Sequence, residues 1–363
     1  MRRERLLTPG PVEVHPDVLA ASAQQPLHHR SPEFIALSHE VWRRLQYAFD
    51  TTSMVVVQAG SGMTGLESAI ASVHAPGERI VVFSHGRFGD RLPTIARRYG
   101  LHVTTVEVPW GESYDAAWVE QHLTNLLQPA DGVWLVHAET SSGVAIDLPT
   151  ITAAIRRVCP QAIIGVDTVT SLGVQELRFD RWDLDVAVAG IQKGLACPPG
   201  LAVTALSARA LERIASQEAR TYTLHLATVI QHQREGLFAW TPPVTLMVAL
   251  DAALRRLQDV GLEATWAAHQ QRHRAIVDTA AAHGVPTLGM PTAMGIVALR
   301  VDRSVEIRRT MLEVFHLRVA GGQDHLADTV MRIGTMGGTW SDGTDDLLKR
   351  VQAALHHCLE SRD

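Results

Sequence analysis

Short apolar runs alternate with helix-like segments between about residues 54 and 206, and this alternation constrains the fold more than any other feature of the chain. Several runs are apolar throughout, which is typical of strands covered on both faces. Strands are predicted at 54–59, 79–84, 102–108, 132–138, 162–166, 184–190 and 201–206, and helices at 64–73, 116–127 and 149–158. The pattern indicates right-handed βαβ units, and therefore an α/β fold with a doubly wound, mostly parallel seven-stranded sheet.

The end of this region departs from the alternation. The link between the strands at 184–190 and 201–206 is too short for a crossover helix, so these two strands are predicted to pair antiparallel. After Pro242-Pro243 the pattern changes to helices at 246–260, 264–283, 305–315 and 345–359, with strands near 295–301 and 329–334. We predict a large domain over 16–250, a smaller α+β C-terminal domain over 251–363, and an N-terminal arm over 1–15.

Composition excludes several classes of function. A net charge of −5 gives no electrostatic reason to expect nucleic acid or an anionic membrane as a partner. No apolar run approaches the roughly 20 residues that a membrane helix needs. The three cysteines, Cys159, Cys197 and Cys358, are too widely spaced to resemble a disulfide framework or a zinc site. We therefore expect a cytoplasmic protein without a metal site.

The chain contains two lysines, Lys193 and Lys349, although arginine is plentiful. Lys349 lies in a charged helical pattern near the C-terminus. Lys193 follows an apolar strand and precedes a turn rich in glycine and proline. An amine can form a Schiff base with an aldehyde or ketone, whereas a guanidinium cannot. A surface loop lysine is the alternative interpretation.

Two further segments carry candidate chemistry. A glycine-rich stretch with Ser61 and Thr64 joins the first strand to the first helix, which suits a phosphate cradle or a plain tight turn. Asp167 ends the strand at 162–166, where ligands of such sheets bind. Its carboxylate either caps the following segment or forms an ion pair with a cationic ring nitrogen. Because Asp167 and Lys193 follow neighbouring strands, they can face one pocket.

The motifs Gly60-Ser61-Gly62, Val166-Asp167-Thr168-Val169 and Gln192-Lys193-Gly194 occur in the order and spacing of a known family. Together they resemble fold-type I pyridoxal-phosphate enzymes, specifically class V aminotransferases of the alanine/serine–glyoxylate group. Further matching segments are Leu7-Thr8-Pro9-Gly10-Pro11, His29-Arg30-Ser31-Pro32-Glu33-Phe34, Glu139-Thr140-Ser141-Ser142-Gly143, Ala320-Gly321-Gly322-Gln323 and Met331-Arg332-Ile333-Gly334. The resemblance covers nearly the whole chain, and it implies that the large domain binds pyridoxal 5′-phosphate with the N-terminal arm near the active site.

The resemblance also implies catalytic and substrate-binding roles. Lys193 is expected to hold the cofactor as a Schiff base and to move the proton at the substrate's Cα. Asp167 is expected to keep the pyridine nitrogen protonated, which makes the ring an electron sink. Arg332 is expected to bind the substrate carboxylate as a bidentate fork, with the backbone of Gly10 lining the same site.

The remaining cofactor contacts follow from the same resemblance. The phosphate is expected to lie against Ser61, Gly62 and Met63, with help from Gln192. The ring is expected between Phe88 and Val169, and Thr140 is expected to hydrogen-bond its phenolic oxygen. Thr241 is expected to reach the phosphate from a second subunit, which implies a homodimer with shared active sites.

The chain departs from many relatives at three places. Phe238 stands where they have a tyrosine that donates to the phosphate, and Thr335 stands where many have histidine. The segment 324–328 contains two acids near the expected substrate mouth, where they either disfavour a dicarboxylate substrate or face solvent. These departures affect the identity of the amino donor more than the chemistry.

The expected function is amino-group transfer from a small amino acid, with alanine or serine favoured, to a 2-oxo acid, with glyoxylate or pyruvate favoured, by a ping-pong mechanism. The alternative is other pyridoxal-phosphate chemistry on the same scaffold, namely decarboxylation, elimination or a desulfurase-like lyase reaction. A non-enzymatic alternative is a regulator that binds the cofactor without turnover. Retention of both Lys193 and Arg332 argues against the regulator.

Overall fold

The computed structural model describes residues 4–338 and 344–360. Its strands are β1 (Arg5–Leu6), β2 (Met54–Ala59), β3 (Arg79–Ser84), β4 (His102–Glu107), β5 (Gly132–Val136), β6 (Ala138–Glu139), β7 (Val144–Ala145), β8 (Ile163–Asp167), β9 (Val186–Gly190), β10 (Leu201–Leu206), β11 (Ile296–Arg300), β12 (Leu317–Arg318), β13 (Ala320–Gly321) and β14 (Val330–Gly334). Its helices are α1 (Pro16–Ser22), α2 (Pro32–Phe49), α3 (Gly62–Val73), α4 (Arg91–Arg98), α5 (Ala116–Thr124), α6 (Leu148–Val158), α7 (Ala208–Ser216), α8 (Leu226–Arg234), α9 (Val244–Val260), α10 (Leu262–Ala282), α11 (Ser304–Glu313) and α12 (Thr344–Glu360), with a short 3-10 helix at Asp324–Leu326.

A seven-stranded sheet forms the centre of the molecule, with strand order β2-β10-β9-β8-β5-β3-β4. All neighbours pair parallel except β10, which is antiparallel to both β9 and β2. Both the doubly wound sheet and the antiparallel pairing of β9 with β10 are confirmed. The sequence did not indicate that β10 also separates β9 from β2.

Burial on both faces explains the apolar composition of these strands. Val55 and Val57 of β2 pack in one hydrophobic cluster, whereas Val56 between them packs in a second cluster on the opposite face. Trp134 and Val133 of β5 divide in the same way. Successive residues of a strand point to opposite faces, so a sheet with helices on both sides needs apolar residues at every position.

One predicted strand differs from the observed structure. The run 132–138 is interrupted, because β5 ends at Val136 and the chain then forms the short β6, which pairs antiparallel with β7. The break follows a change in pairing. The backbone N–H of His137 still donates to the carbonyl of Asp167 at 3.0 Å, but Ala138 pairs with Ala145 instead of with β8. The short hairpin carries Glu139 and Thr140 away from the sheet edge.

A second, three-stranded antiparallel sheet, β11-β14-β13, packs with α10, α11 and α12. The N-terminal arm joins this part of the molecule, because β1 pairs parallel with β12 and Leu7 packs in its hydrophobic cluster. Strands of two residues, such as β1, β12 and β13, show no periodicity in a sequence, and they were not predicted. The division at residue 250 stays a prediction; α9 spans that position.

The topology brings the ends of β8 and β9 to the same edge of the sheet, since the two strands are adjacent and parallel. The glycine-rich turn after β2 begins at that edge as well, because the carbonyl of Gly200 before β10 accepts from the N–H of Gly60 at 2.9 Å. In the described residues, no helix is long and apolar enough to cross a membrane.

Candidate active site

Lys193 lies three residues beyond the end of β9, and only 9% of its surface is exposed. Its Nζ donates a hydrogen bond to the backbone carbonyl of Pro9 at 2.6 Å, so the N-terminal arm covers the amine. Gly10 has φ +125°, and a Cβ there would lie 2.5 Å from Cδ of Lys193. Glycine therefore allows the arm to pass directly over the lysine side chain.

Burial, together with the nearby cation of Arg332, lowers the pKa of Lys193 to about 8, against the opposing charges of Asp167 and Glu139. A lysine with a pKa near 8 is partly neutral at physiological pH. The environment therefore prepares this amine to act as a nucleophile or a base.

Asp167 is the last residue of β8 and is 5% exposed. Its Oδ1 accepts a hydrogen bond from the N–H of Val169 at 2.8 Å. Burial raises the pKa of this carboxyl to about 7, Glu139 adds to the rise, and the Val169 amide, Lys193 and Arg91 oppose it. A carboxyl in this position favours a proton or a cationic partner.

Lys193 and Asp167 line one cavity of about 240 Å³. The structure brings ten of the predicted site residues to this cavity: Gly10, Ser61, Gly62, Met63, Phe88, Thr140, Asp167, Val169, Gln192 and Lys193. They come from the N-terminal arm and from the turns after β2, β3, β6, β8 and β9. The agreement concerns position, and the roles of these residues remain predictions.

The glycine-rich turn begins α3 at Gly62, two residues before the predicted start. Oγ1 of Thr64 accepts from the backbone N–H of Ser61 at 3.1 Å, which closes the first turn of the helix. A Cβ at Gly62 would lie 2.5 Å from Cγ2 of Val169, so this position admits only glycine beside the valine. The helix therefore begins against the wall of the cavity, with its positive end directed into it.

Arg332 lies on β14 and is 7% exposed. Its Nε donates to the carbonyl of Gly321 at 2.7 Å, and its Nη1 donates to the carbonyl of Thr140 at 3.0 Å. Burial lowers its pKa to about 10, and the nearby cations Arg87 and Arg308 act in the same direction. The guanidinium is thus held in one orientation beside Thr140, which itself lines the cavity.

Thr241 is the predicted residue that the structure does not bring to Lys193. It lines a separate cavity of about 270 Å³ together with Phe238 and Trp240. The ring of Phe238 packs 5.8 Å from that of Phe34 and 5.7 Å from that of Trp42, measured between centroids. The residue that replaces the expected tyrosine therefore belongs to an aromatic cluster within this chain.

Two polar residues that line the cavity, Arg91 and Thr170, were not predicted. Arg91 lines it, with its guanidinium carbon 4.7 Å from the centre of the Phe88 ring. Thr170 also lines it, and its hydroxyl lies 2.7 Å from that of Thr140. The signal for Arg91 was its position three residues after Phe88, because that spacing places two side chains on one face of a helical turn.

Glu139 does not line the cavity, but it contacts the segment that carries Phe88. It was not predicted, although its motif was recognised. It is fully buried. Its Oε2 accepts from the N–H groups of Phe88 and Gly89 at 3.1 and 3.2 Å, and its Oε1 accepts from the N–H and hydroxyl of Ser141 at 2.9 and 2.6 Å. Burial raises its pKa, and these hydrogen bonds oppose the rise. This carboxyl fixes the loop that carries Phe88.

Histidine pairs occur away from the cavity. His269 and His273 are one helical turn apart on α10, and both are buried with pKa values lowered by burial to about 4. Among the residues described, the ligand atoms of His283, His356 and Glu360 lie within 4.8 Å of one another. None of these residues lines the cavity that contains Lys193.

Comparison with known proteins decides the family. Residues 17–308 match the model of the family "Aminotransferase class-V". The chain belongs to the class V aminotransferases. The mixed α/β architecture and the large, mostly parallel sheet agree with this membership, and the expected resemblance is confirmed.

Three proteins illustrate the range of this family. The chain is 34% identical over 353 residues to the small subunit of a soluble hydrogenase from Synechococcus sp. (strain PCC 6716), covering 96% of this chain and 91% of that protein. It is 32% identical to a subgroup IV aspartate aminotransferase from Thermus thermophilus, with a TM-score of 0.90 and coverage of 98% and 100%. It is 30% identical to an alanine–glyoxylate aminotransferase from Nostoc sp., with a TM-score of 0.89 and coverage of 98% and 96%.

Membership of this family makes the protein an enzyme of the transferase class. It also implies pyridoxal phosphate as the cofactor and amino acids and 2-oxo acids as substrates.

Proposed function

We propose that this class V aminotransferase binds pyridoxal 5′-phosphate at Lys193 and moves an amino group from a small amino acid to a 2-oxo acid in a ping-pong cycle. Alanine or serine is the favoured donor, and glyoxylate or pyruvate is the favoured acceptor. The observation that carries the proposal is one cavity containing a buried amine with a pKa near 8 and a buried carboxyl with a pKa near 7.

The residues around the cavity fit the cofactor. Gln192 lines the cavity, and in the described part of the chain its buried Oε1 has no hydrogen-bond partner, so this amide has unused hydrogen-bonding capacity at the site. The start of α3 offers backbone N–H groups to a phosphate, with Ser61, Gly62 and Met63 around it. Phe88 and Val169 line the cavity and suit the two faces of a flat ring, while Thr140 suits its phenolic oxygen.

Lys193 and Asp167 divide the chemistry between them. Asp167 keeps a proton on the ring nitrogen through an ion pair, which satisfies a carboxyl that is otherwise costly to bury. When bound, the cofactor withdraws the electron pair left on the substrate's Cα. Nζ of Lys193, with its lowered pKa, takes the proton from Cα and returns one during the cycle.

Arg332 orients the amino acid in this proposal. A planar guanidinium binds a carboxylate through two parallel hydrogen bonds, and the contacts to Gly321 and Thr140 hold it in place for that purpose. The arm at Gly10 passes over Lys193 and excludes water from the same cavity.

Thr241 is proposed to complete the site of a partner subunit, which makes the enzyme a homodimer. In support, Thr241 lines an apolar cavity beside Trp240, which is 41% exposed and lies 5.0 Å from the exposed ring of Tyr222. A solution mass of two chains supports this arrangement, and a monomer that turns over amino acids contradicts it.

The hydrogenase name of the Synechococcus relative is not transferred to this enzyme. An amine and a carboxyl in one cavity, with the guanidinium of Arg332 held beside Thr140, are the groups needed for amino-group transfer. Most of the residues expected to hold pyridoxal phosphate line the same cavity; Thr241 is the exception, and it lines a second cavity with Phe238. Decarboxylation or elimination on the same scaffold would use the same groups. The experiment must therefore distinguish these reactions from amino-group transfer.

The experiment compares two lysine variants of the cofactor-loaded enzyme. Lys193→Ala should abolish the visible absorption of the bound cofactor and reduce turnover on the order of 10⁴-fold, since it removes the proton carrier. Lys349→Ala is the matched control, because Lys349 is exposed on α12, and it should retain both properties. In the unmodified enzyme, alanine or serine should change the absorption and glyoxylate or pyruvate should restore it.

Other outcomes contradict the proposal in distinct ways. Release of carbon dioxide or ammonia in place of a restorable spectral change indicates decarboxylation or elimination. A spectrum that no amino acid changes indicates a regulator, and wild-type turnover in Lys193→Ala disproves the role of the lysine.

A further inference from the structure

An ion pair joins the loop that precedes Phe88 to the segment that follows β13. Nε of Arg87 lies 2.9 Å from Oδ2 of Asp324, with the side chains 36% and 50% exposed. Arg87 belongs to the loop between β3 and α4, whereas Asp324 begins the 3-10 helix after β13. The pair therefore connects the large-sheet side of the molecule to the small sheet.

Arg87 and Asp324 are each close in sequence to a residue of the site, and hydrogen bonds hold both segments in place. The N–H of Arg87 donates to Oγ of Ser141 at 3.1 Å, and Phe88, the next residue, lines the cavity. Asp324 follows Gly321 by three residues, and the carbonyl of Gly321 accepts from Nε of Arg332. Both Arg332, through its Nη1, and Arg87, through its N–H, hydrogen-bond to neighbouring residues of one loop, Thr140 and Ser141. Burial and the positive charges of Arg87 and Arg308 lower the pKa of Arg332.

A second contact holds the segment that carries Asp324. The ring of His325 lies 4.8 Å from the indole of Trp110, and Nε1 of Trp110 donates to Oδ2 of Asp90 at 3.2 Å. Two side-chain contacts from successive residues thus fix this segment against the large-sheet side. The backbone that carries Asp324 is therefore held close to Arg87 by a second contact from the neighbouring residue.

The ion pair bears on the charge that a substrate side chain would meet near Arg332. An amino acid whose α-carboxylate binds Arg332 directs its side chain to the region around the site, where Arg87 is a nearby cation. A second carboxylate would be attracted by an isolated arginine. Here Asp324 already neutralises Arg87, so a second carboxylate gains little attraction and meets a like charge within a few ångströms of its potential partner.

We propose that the Arg87–Asp324 pair is a specificity device that rejects dicarboxylic amino acids and makes a neutral amino acid the donor. The inference rests on the proposed function, since it concerns the substrate class of the same site. In this proposal the carboxylate of Asp324 repels a second carboxylate of the substrate. The guanidinium of Arg87 could attract that carboxylate, but in the native enzyme it is neutralised by Asp324.

The test unmasks Arg87 with Asp324→Asn. Asp324 has φ +49°, a left-handed conformation that asparagine also adopts readily, so the backbone is preserved. The ratio of kcat/KM for aspartate to kcat/KM for alanine should rise about tenfold, the change expected from one favourable charge interaction at a partly exposed site. Succinate, an unreactive dicarboxylate, should bind more tightly in calorimetry by a similar factor.

Asp328→Asn is the matched control. It removes the same charge from the same segment but leaves the Arg87–Asp324 pair in place, and Asp328 is exposed. Its aspartate-to-alanine ratio and its succinate affinity should stay within about twofold of the wild-type values. Equal gains in both variants would mean that net charge alone is responsible, and the inference would fail.

The double variant Arg87→Gln/Asp324→Asn identifies the receiving cation. If Arg87 binds the added carboxylate, the gain in Asp324→Asn disappears in the double variant. A gain that persists overturns the role of Arg87, and an unchanged ratio in Asp324→Asn, with alanine turnover retained, overturns the inference as a whole. So does a wild-type enzyme that prefers aspartate to alanine. Absence of transamination with every donor refutes the proposed function instead.

Discussion

The wall and the mouth of the site are built differently. The wall residues Lys193 and Asp167 follow adjacent strands of one sheet, and both are more than nine-tenths buried. The mouth residues Arg87 and Asp324 come from segments more than 200 positions apart in the sequence and remain partly exposed. The wall has perturbed pKa values because it is dry, whereas the mouth contains a paired charge in contact with solvent.

The difference separates two kinds of function. Groups that move protons or hold the cofactor need low exposure, because burial is what shifts the pKa of Lys193 and Asp167. Groups that choose among substrates need only to present charge at the entrance, and a change there alters preference without altering the chemistry. The comparison can be tested by variants whose effects on stability, binding and pH dependence should differ.

Glu139→Ala should have the largest effect and should act mainly on stability. It leaves the N–H groups of Phe88, Gly89 and Ser141 without their buried acceptor, so we expect the free energy of unfolding to fall by about 3–5 kcal/mol. Urea unfolding monitored by circular dichroism measures this. Glu120→Ala, at an exposed surface ion pair, should cost less than about 1 kcal/mol.

Equal stability of the Glu139 and Glu120 variants would contradict the view that buried hydrogen bonds to Glu139 stabilise the buried part of the site. The Glu139 carboxyl would then be dispensable for the loop that carries Phe88.

Arg332→Ala should come next and should act on substrate binding. Loss of the guanidinium leaves the substrate carboxylate without its partner, and KM for the amino acid should rise about 100-fold. Steady-state kinetics with alanine measures this change. Arg300→Ala, an exposed arginine on the neighbouring strand β11, should keep KM within about twofold.

An unchanged KM in Arg332→Ala would show that the α-carboxylate binds elsewhere. The substrate side chain would then not be directed toward Arg87 and Asp324. A fall in kcat with constant KM would instead place the arginine in the chemical step.

The smallest effect concerns how the stability of the protein without cofactor depends on pH. Because burial raises the pKa of Asp167 from 3.8 to about 7, the folded chain holds this proton more tightly than the unfolded chain does. The resulting stabilisation is present below pH 3.8 and is lost as the pH rises to about 7. Between pH 5 and 8 the melting temperature of the wild-type protein should therefore fall by about 5 °C relative to Asp167→Asn.

Adding pyridoxal phosphate supplies the control for this measurement. An ion pair with the ring nitrogen removes the cost of the buried carboxylate, so the difference between pH 5 and pH 8 should shrink in the loaded enzyme. Parallel melting curves for wild type and Asp167→Asn without cofactor would show that burial does not perturb this carboxyl.

Much of the fold was predictable because its strands are buried on both faces. The apolar runs at 54–59, 79–84 and 201–206 match β2, β3 and β10 at both ends. The hairpin of β6 and β7 was not predicted, since four residues carry too little periodicity to identify two strands. Thr170 and Glu139 were missed for a related reason, because each contacts a residue that only the folded chain brings close. Arg91 differs, since its contact with Phe88, three residues away, is local.

The sequence by itself determined that one amine, one acid and a glycine-rich turn lie at the ends of strands in a mostly parallel sheet. The hydrophobic pattern and the succession of strands along the chain are local properties, so they can be read from the sequence. Only the tertiary structure decided that Pro9 and Gly10 cover Lys193, that Glu139 holds the Phe88 loop, and that Asp324 pairs with Arg87. Those contacts join residues from 51 to more than 200 positions apart. Their existence depends on how helices and sheets pack, which no short pattern of residues encodes.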